Sequence, residues 1–442
     1  NTIMHSFSLI FVGGLSMLLA CTPSTNPPVE IAPNPLDTIS RADLPKGIPI
    51  KDLLFSDTIN AMVADGRMRN SQSIHRLLQI GAYDRVKQMD EVELKWGLND
   101  LTPTEAERLA DFELVDARNF ILGKAQDHQV IIISEAHTKP EHRVFTRSLL
   151  QGLFDQGYRH LGLENITPKF EHPAGALLDS SLMERGYPLM TDFSGVYAGE
   201  PQYGHLIRAA INIGFQLFAY ERNGSSASER DLQQAEHLMA YQALHPGEKI
   251  ICHGGWYHAI ERMEEKWSGS KSYWLAYHYK NLSGDDPLTI YQDALNEKKA
   301  LNQQSSPYYD LLLEMAGAEL PEFPVVPVNG KGECWRGPSA GAPFDILVMQ
   351  PPIQYRNGLP SWLMNEKHSY FAVSPTLFEN LQYPVLLAVW GQNESELATP
   401  VFCMELSTPQ ELKQIPLLPG QYRLEIWDQA GNRNQISSLA IE

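Results

Sequence analysis

Positive charge is scarce in this chain: 35 Lys and Arg stand against 53 Asp and Glu over 442 residues, a formal charge of −18. That balance argues against nucleic acid or an anionic membrane surface as partner. Cysteine is scarcer still, with four in all, and no spacing among them suggests a zinc knuckle. The apolar run at residues 7–20 is too short for a comfortable membrane span. The rest of the composition is ordinary for a folded protein, 43% hydrophobic and 20% charged, and the length predicts two domains with ample core.

That apolar run has the length of a signal-peptide h-region. It ends Leu18-Leu19-Ala20-Cys21, which resembles a bacterial lipobox, although no Lys or Arg precedes it. The resemblance implies removal of residues 1–20 and lipid on Cys21. The mature protein is then exported and anchored to a bacterial membrane at its periplasmic or cell-surface face. An ordinary secretory signal gives the same export without the anchor. Residues 22–45 carry five prolines before Asp43 and read as an extended tether. Export permits a disulfide. With Cys21 acylated and Cys252 in an expected buried strand, Cys334 and Cys403 are the pair that remains, and the sequence leaves that pairing open.

The body, residues 46–365, alternates helical and strand patterns and is expected to be α/β, a parallel-rich sheet flanked by helices. Residues 46–129 read as an N-terminal helical layer. Thr102-Pro103-Thr104-Glu105 forms a capping box with Pro at N1, and the helix is expected to run on through Leu109, Phe112, Leu114, Val115 and Phe120. Strands are expected at 130–133, 160–163, 215–220, 249–252, 273–279 and 344–349. Residues 166–204, rich in Pro, Gly and Tyr, are either a lid or a loose loop. Ser228 is expected to cap the helix that carries Arg230 and Asp231. Residues 366–442 change texture: short strands at 383–390, 400–406, 421–427 and 436–441 predict a small antiparallel, immunoglobulin-like β-sandwich.

The stretch that organises the chain is 130–165, an apolar β-branched strand, a helix and a second strand. The first strand runs into Glu135 and His137, the second into Glu164. Ligands of open α/β sheets bind outside the carboxyl ends of the strands, so these side chains share a rim. Two more strands deliver Glu221 with Arg222, and His253 with His258. Hydrolysis needs a proton acceptor for water, a proton donor for the leaving group and positive charge facing the oxyanion. Imidazole and carboxylate supply the first two; Arg143, Arg147 or Arg230 supplies the third. Glu135, His137, Glu164 and His258 also suit a divalent transition metal such as Mn, Fe, Co or Zn. The competing reading of each residue is an N-cap or a local ion pair, and for Glu221 beside Arg222 that reading is strongest. Trp256 and Tyr257 are expected to wall the pocket; His142, His160, His205 and His237 read as surface or packing residues.

VIIISEAHTKPEH, GYRHLGLEN and KIICHGGWYHA together resemble the erythromycin esterase-like, ChaN-like and TIKI/TraB superfamily over residues 128–365. Glu135 and His137 match its Glu-x-His, Glu164 its second acid, residues 255–258 its Gly-x-x-His, and Arg230-Asp231 its Arg-Asp at a helix start. Ser134 stands where the family usually has Gly. The resemblance implies one of three roles: a lactone-opening esterase, a metal-dependent protease of peptides, or a haem-binding lipoprotein with Tyr257 or a His on the iron. The Glu-x-His spacing is the ChaN-like form, which counts against macrolide esterase activity. From the residues, the first expectation is a tethered hydrolase-like protein acting through Glu135, His137, Glu164 and His258, with Arg147, Arg230 and Tyr257 touching a small-molecule or peptide substrate. The alternative is a haem- or iron-binding protein without catalysis.

Overall fold

The computed structural model describes residues 51–89, 98–168, 172–221, 227–265, 271–297, 305–318, 320–338, 342–364, 368–408, 410–412 and 414–442. The signal segment, Cys21, the tether and Arg222 lie outside them. The described residues fall within one compact unit.

Near the start of the described chain come α1 (Ser56–Ala64), α2 (Asn70–Gln79), α3 (Tyr83–Met89) and α4 (Pro103–Leu109). They lead into β1 (Phe112–Asp116), α5 (Ala117–Ala125), β2 (Val130–Glu135), α6 (Pro140–Asp155) and β3 (Tyr158–Leu163). A short α7 (Leu182–Arg185) precedes α8 (Pro201–Ile213), β4 (Gln216–Ala219), α9 (Ala227–Leu244) and β5 (Lys249–Gly255). After a two-residue ribbon, β6 (Glu264–Glu265) with β7 (Lys271–Ser272), come α10 (Leu275–Ser283), β8 (Leu288–Leu295), α11 (Pro307–Ala316), β9 (Val325–Asn329) and β10 (Ile346–Met349).

Eight of these strands form one sheet in the order β1-β9-β10-β8-β2-β5-β3-β4. From β10 to β4 every pairing is parallel; β9 and β1 add an antiparallel edge. β2 lies near the middle, and all six of its residues are buried. Its Ile-rich sequence is what a strand covered on both faces requires. Glu135, its last residue, pairs across with Gly255, the last of β5. Leu163, the last of β3, pairs with His253. The expected rim is therefore a real edge of the sheet.

Two sequence expectations fail in this half. Residues 273–279 are largely helix, not strand: Leu275, Ala276 and Tyr279 of α10 are buried together against Leu238 and Tyr241 of α9, which is the spacing of a helix face. The helix opened by Thr102, whose hydroxyl accepts from the Glu105 N–H, stops at Leu109. Phe112 to Asp116 instead pair antiparallel with β9. The strands β8 and β9 have no counterpart in the sequence reading.

The C-terminal part holds β11 (Tyr355–Arg356) with β12 (Leu359–Pro360), and β13 (Ser369–Ala372) with β16 (Gln414–Leu417). It also holds a four-stranded antiparallel sheet built from β14 (Val385–Gly391), β15 (Phe402–Leu406), β17 (Gly420–Asp428) and β18 (Arg433–Ile441), in the order β15-β14-β17-β18. Along β17 every second residue from Tyr422 to Asp428 is buried, the period of a strand with one face on a core. That core is shared with the N-terminal helices: Phe55, Ile59, Leu77, Leu78 and Val86 pack with Leu387, Val389 and Ile426. Helices α1–α3 thus cover the C-terminal strands, while α5 lies on the parallel sheet.

Cys334 and Cys403 are not bonded to each other; both are free thiols. Cys334 donates to the Asp345 carbonyl (3.0 Å) beside the parallel sheet's core, whereas Cys403 lies inside β15 opposite Ala388, in the other core. Among the described residues no helix is long and apolar enough to cross a membrane.

Candidate active site

Three neighbouring strands of the sheet meet at the rim. Glu135 ends β2, Glu164 follows β3, and β5 runs through His253 and two glycines into a short turn carrying His258. Both glycines are required by close approach. A Cβ on Gly255 would lie 2.4 Å from His137 Nε2 and 3.3 Å from Glu164 Oε2. One on Gly254 would lie 2.3 Å from the Tyr220 hydroxyl. The next residue, Trp256, has φ of +31°, a conformation that strains a bulky side chain, and it is 37% exposed at the mouth of the site.

Glu135 is 1% exposed. Its Oε1 accepts from His137 Nδ1 (2.8 Å) and Arg143 Nη2 (3.0 Å); its Oε2 accepts from Arg143 Nε (2.8 Å) and pairs with His253 Nε2 (2.9 Å). Burial alone would raise its pKa, but Arg143 and His253 outweigh burial and hold the carboxyl well below the usual range. Arg143, fully buried in the first turns of α6, also donates to Glu200 Oε2 (2.9 Å) and to the His137 carbonyl (2.9 Å), and lies 5.1 Å from the centre of the Tyr203 ring. Glu200 in turn accepts from the Gln202 and Tyr203 N–H groups and so caps α8. This half of the site is a closed network.

Glu164 stands in a more open half. Its Oε2 accepts from the Gly255 N–H (2.6 Å) and lies 3.9 Å from His137 Nε2; its Oε1 lies 3.2 Å from His258 Nε2 and accepts from Arg230 Nη2. Burial opposes its ionisation, yet His258, His137 and Arg230 together lower its pKa. Arg230 also holds Glu221, through Nε to Oε1 (2.8 Å) and Nη2 to Oε2 (2.5 Å). Burial keeps the Glu221 pKa raised despite that pairing. On its far side His258 Nδ1 bonds Asp231 Oδ1 (2.7 Å), an oxygen that also accepts from the Leu275 N–H (3.0 Å). Burial would lower the His258 pKa, but the carboxylates of Asp231 and Glu164 raise it to about 10. His258 is therefore an imidazolium at neutral pH, while Arg230, its side chain 37% exposed, carries the site's positive charge to solvent.

Described residues of the insertion between β3 and α8 pack against the site. Tyr197 stacks on His137 with ring centres 4.3 Å apart, and Trp256 meets the same imidazole edge-on at 4.6 Å. His75 of α2 rests against Tyr197 at 4.7 Å; burial, then Arg143, push its pKa down to about 3. The insertion is held to the C-terminal part by the Met190 N–H on the Leu397 carbonyl (2.7 Å) and the Thr399 N–H on the Pro188 carbonyl (2.9 Å).

The structure brings Glu135, His137, Glu164, His258 and Arg230 together. Arg147 sits one turn beyond Arg143 on α6, where its charge acts on His205. Tyr257 turns its ring to Trp274, at 5.0 Å. Glu221 pairs with Arg230, which the sequence reading had assigned to substrate. Glu200 and Tyr197 were not foreseen; Glu200-Pro201 is a recognisable cap-and-Pro start for α8. His142 is buried and structural: its Nδ1 accepts from the Ala136 N–H (3.0 Å), and burial takes its pKa to about 3.

The four residues named from sequence for a metal are not the group whose donor atoms converge. Glu164, Glu221 and His258 are, each offering an atom within 4.8 Å of the others. The Arg230 guanidinium already bonds both carboxylates there, 3.5 Å from His258 Nε2, so a cation of the protein's own fills that position. Both oxygens of Glu135 are committed as well. This donor set does not fit a resident metal. Nor does it favour haem, since each nitrogen of His258 faces a carboxylate.

No family model matches this chain, and no curated protein does. Solved structures match at low overlap. The type III effector HopBA1 is 13% identical, with a TM-score of 0.29 over 44% of this chain and 89% of that one. RRSP, a MARTX toxin effector domain from Vibrio vulnificus, is 16% identical, with a TM-score of 0.27 over 60% of this chain and 50% of that one. The C-terminal region of Pasteurella multocida toxin, described as having a thiol-protease like catalytic triad, is 10% identical, with a TM-score of 0.25 over 47% of this chain and 29% of that one. At such scores the likenesses decide nothing about this chain's chemistry.

Proposed function

We propose that this chain is a hydrolase of ester or peptide bonds, exported and lipid-anchored at Cys21, of the erythromycin esterase-like, ChaN-like and TIKI/TraB type. The observation that carries the reading is the pair of carboxylate-bound histidines facing Glu164. His137 is fixed through Nδ1 by Glu135 and turns Nε2 toward Glu164; His258 is fixed through Nδ1 by Asp231 and turns its Nε2 to the same acid. A histidine anchored by a carboxylate on one nitrogen and free to exchange a proton on the other is the working unit of general acid–base catalysis.

In this reading His137 Nε2 takes a proton from water lodged against Glu164. The hydroxyl oxygen bonds the substrate carbonyl carbon, and the carbonyl π pair moves onto oxygen, facing the Arg230 guanidinium. The oxyanion pair then re-forms the carbonyl as the carbon–leaving-group bond breaks, and the departing electron pair takes the proton held on His258 Nε2. The proton on His137 passes to solvent, and His258 recovers one. No step runs through a metal. A panel of chromogenic esters and fluorogenic peptides, assayed with wild type and His137→Ala, tests the reading. Turnover by wild type that falls about 10²- to 10⁴-fold in the variant is expected; a folded wild type that cleaves nothing in the panel, or a variant that matches it, overturns it.

A further inference from the structure

A second cluster of titratable groups lies away from the rim, toward the amino-terminal end of β3. His160 of β3 is 1% exposed. Its Nε2 bonds Glu248 Oε2, and its Nδ1 bonds the Tyr241 hydroxyl at 3.0 Å. His245 and Glu248 belong to the His-Pro-Gly-Glu turn between α9 and β5, where Gly247 takes φ of +84°. That turn folds the His245 ring to 4.3 Å from the His160 ring, and His245 Nδ1 to 3.8 Å from Glu248 Oε2. One donor atom from each of the three residues lies within 4.8 Å of the others.

We propose that His160, His245 and Glu248 bind a divalent transition ion of the zinc class, stapling β3 to the turn before β5. Two imidazoles and one carboxylate are a donor set suited to Zn²⁺. Ligand atoms about 2.0–2.2 Å from a tetrahedral ion lie about 3.4 Å from one another. The pairs here bracket that spacing, His160 with Glu248 closer and His245 with Glu248 farther. Reaching it moves only the two half-exposed side chains of the turn. The buried partner is already aimed: the Tyr241 hydroxyl, able to donate or accept, holds His160 Nδ1 and leaves Nε2 for the ion. Solvent at His245 and Glu248 supplies water for the fourth position. The rim offers no such place, because Arg230 fills its acidic cluster.

The test titrates Zn²⁺ alone into the full-length protein after chelator treatment and dialysis, by calorimetry and by thermal melting. Saturable binding with a raised melting temperature is expected. His245→Ala and Glu248→Gln, at the surface, should keep the fold and weaken that binding at least about tenfold. Glu164→Gln, at the rim, should leave it unchanged. No saturable binding, or binding that survives both surface changes, overturns the proposal and leaves His160 and Glu248 as an ion pair.

Discussion

Glu135 and Glu164 are the same residue type at the same kind of place, the carboxyl end of a central parallel strand, with β5 between them. Their surroundings differ. Glu135 has both oxygens bound by Arg143, His137 and His253 and is 1% exposed. Glu164 is bound by a backbone N–H, by a proton-bearing imidazole and by an arginine that reaches water. A carboxylate locked into a dry network orients its partners and cannot exchange protons readily. One joined to solvent-reaching groups can. In the proposed reading Glu135 is the frame, and Glu164 with its two histidines handles the protons.

The largest effect should come from attacking the frame. Glu135→Ala leaves Arg143 buried beside a vacated site, and breaking a buried pair from one side costs about 3–5 kcal/mol. Urea unfolding should show that loss, with a clearly smaller one for Glu164→Ala, since Arg230 retains Glu221 and its access to water. Equal losses would erase the distinction. Next comes Gly255→Ala, whose added methyl would press on His137 Nε2 and Glu164 together. Misplacing a reacting group by about 1 Å costs about 10² in rate, so turnover should drop by that order while circular dichroism is unchanged.

A smaller effect should appear with pH. The folded-state pKa of His258 is raised to about 10 from an ordinary value of 6.5. The stability it contributes is therefore fully present below about pH 6.5 and is lost as pH rises through about 10. The melting-temperature gap between wild type and His258→Gln should narrow over that window. Glu135 has the opposite sign: its pKa is depressed, so its contribution is present above the ordinary carboxylate range and fades as pH falls below it. A gap for His258→Gln that widens with rising pH would contradict the assignment of His258 as the proton-bearing group.

The rim was legible because its strands announce themselves: the β-branched run at 130–133, buried on both faces, leads to Glu135, the short strand Tyr158–Leu163 stops at Glu164, and β5 stops at two glycines before a histidine. The polar frame was harder to read. Arg143 lies eight positions beyond Glu135, and only the pitch and placement of α6 swing it back onto that carboxylate. Asp231 was visible only as the neighbour of Arg230, with nothing in the sequence to say that it faces His258. The strand β8 was missed because Gln292 and Asp293 interrupt its apolar pattern. In the fold Gln292 donates to the Ser134 carbonyl (2.9 Å), and Asp293 accepts from Lys139 (2.6 Å), so both are buried at no loss of partners. The aromatic run at 273–279 misled for a related reason: its β propensity yields to packing against α9. The helices α1–α3 show a core-facing stripe, but no local signal tells which core it meets.

The measurement that bears most directly on the central claim is turnover by Glu164→Gln, taken together with its melting temperature. The account predicts an unaltered fold and a rate lower by about 10²- to 10⁴-fold against any ester or peptide the wild type cleaves. A variant that melts like wild type and hydrolyses at the wild-type rate would contradict it.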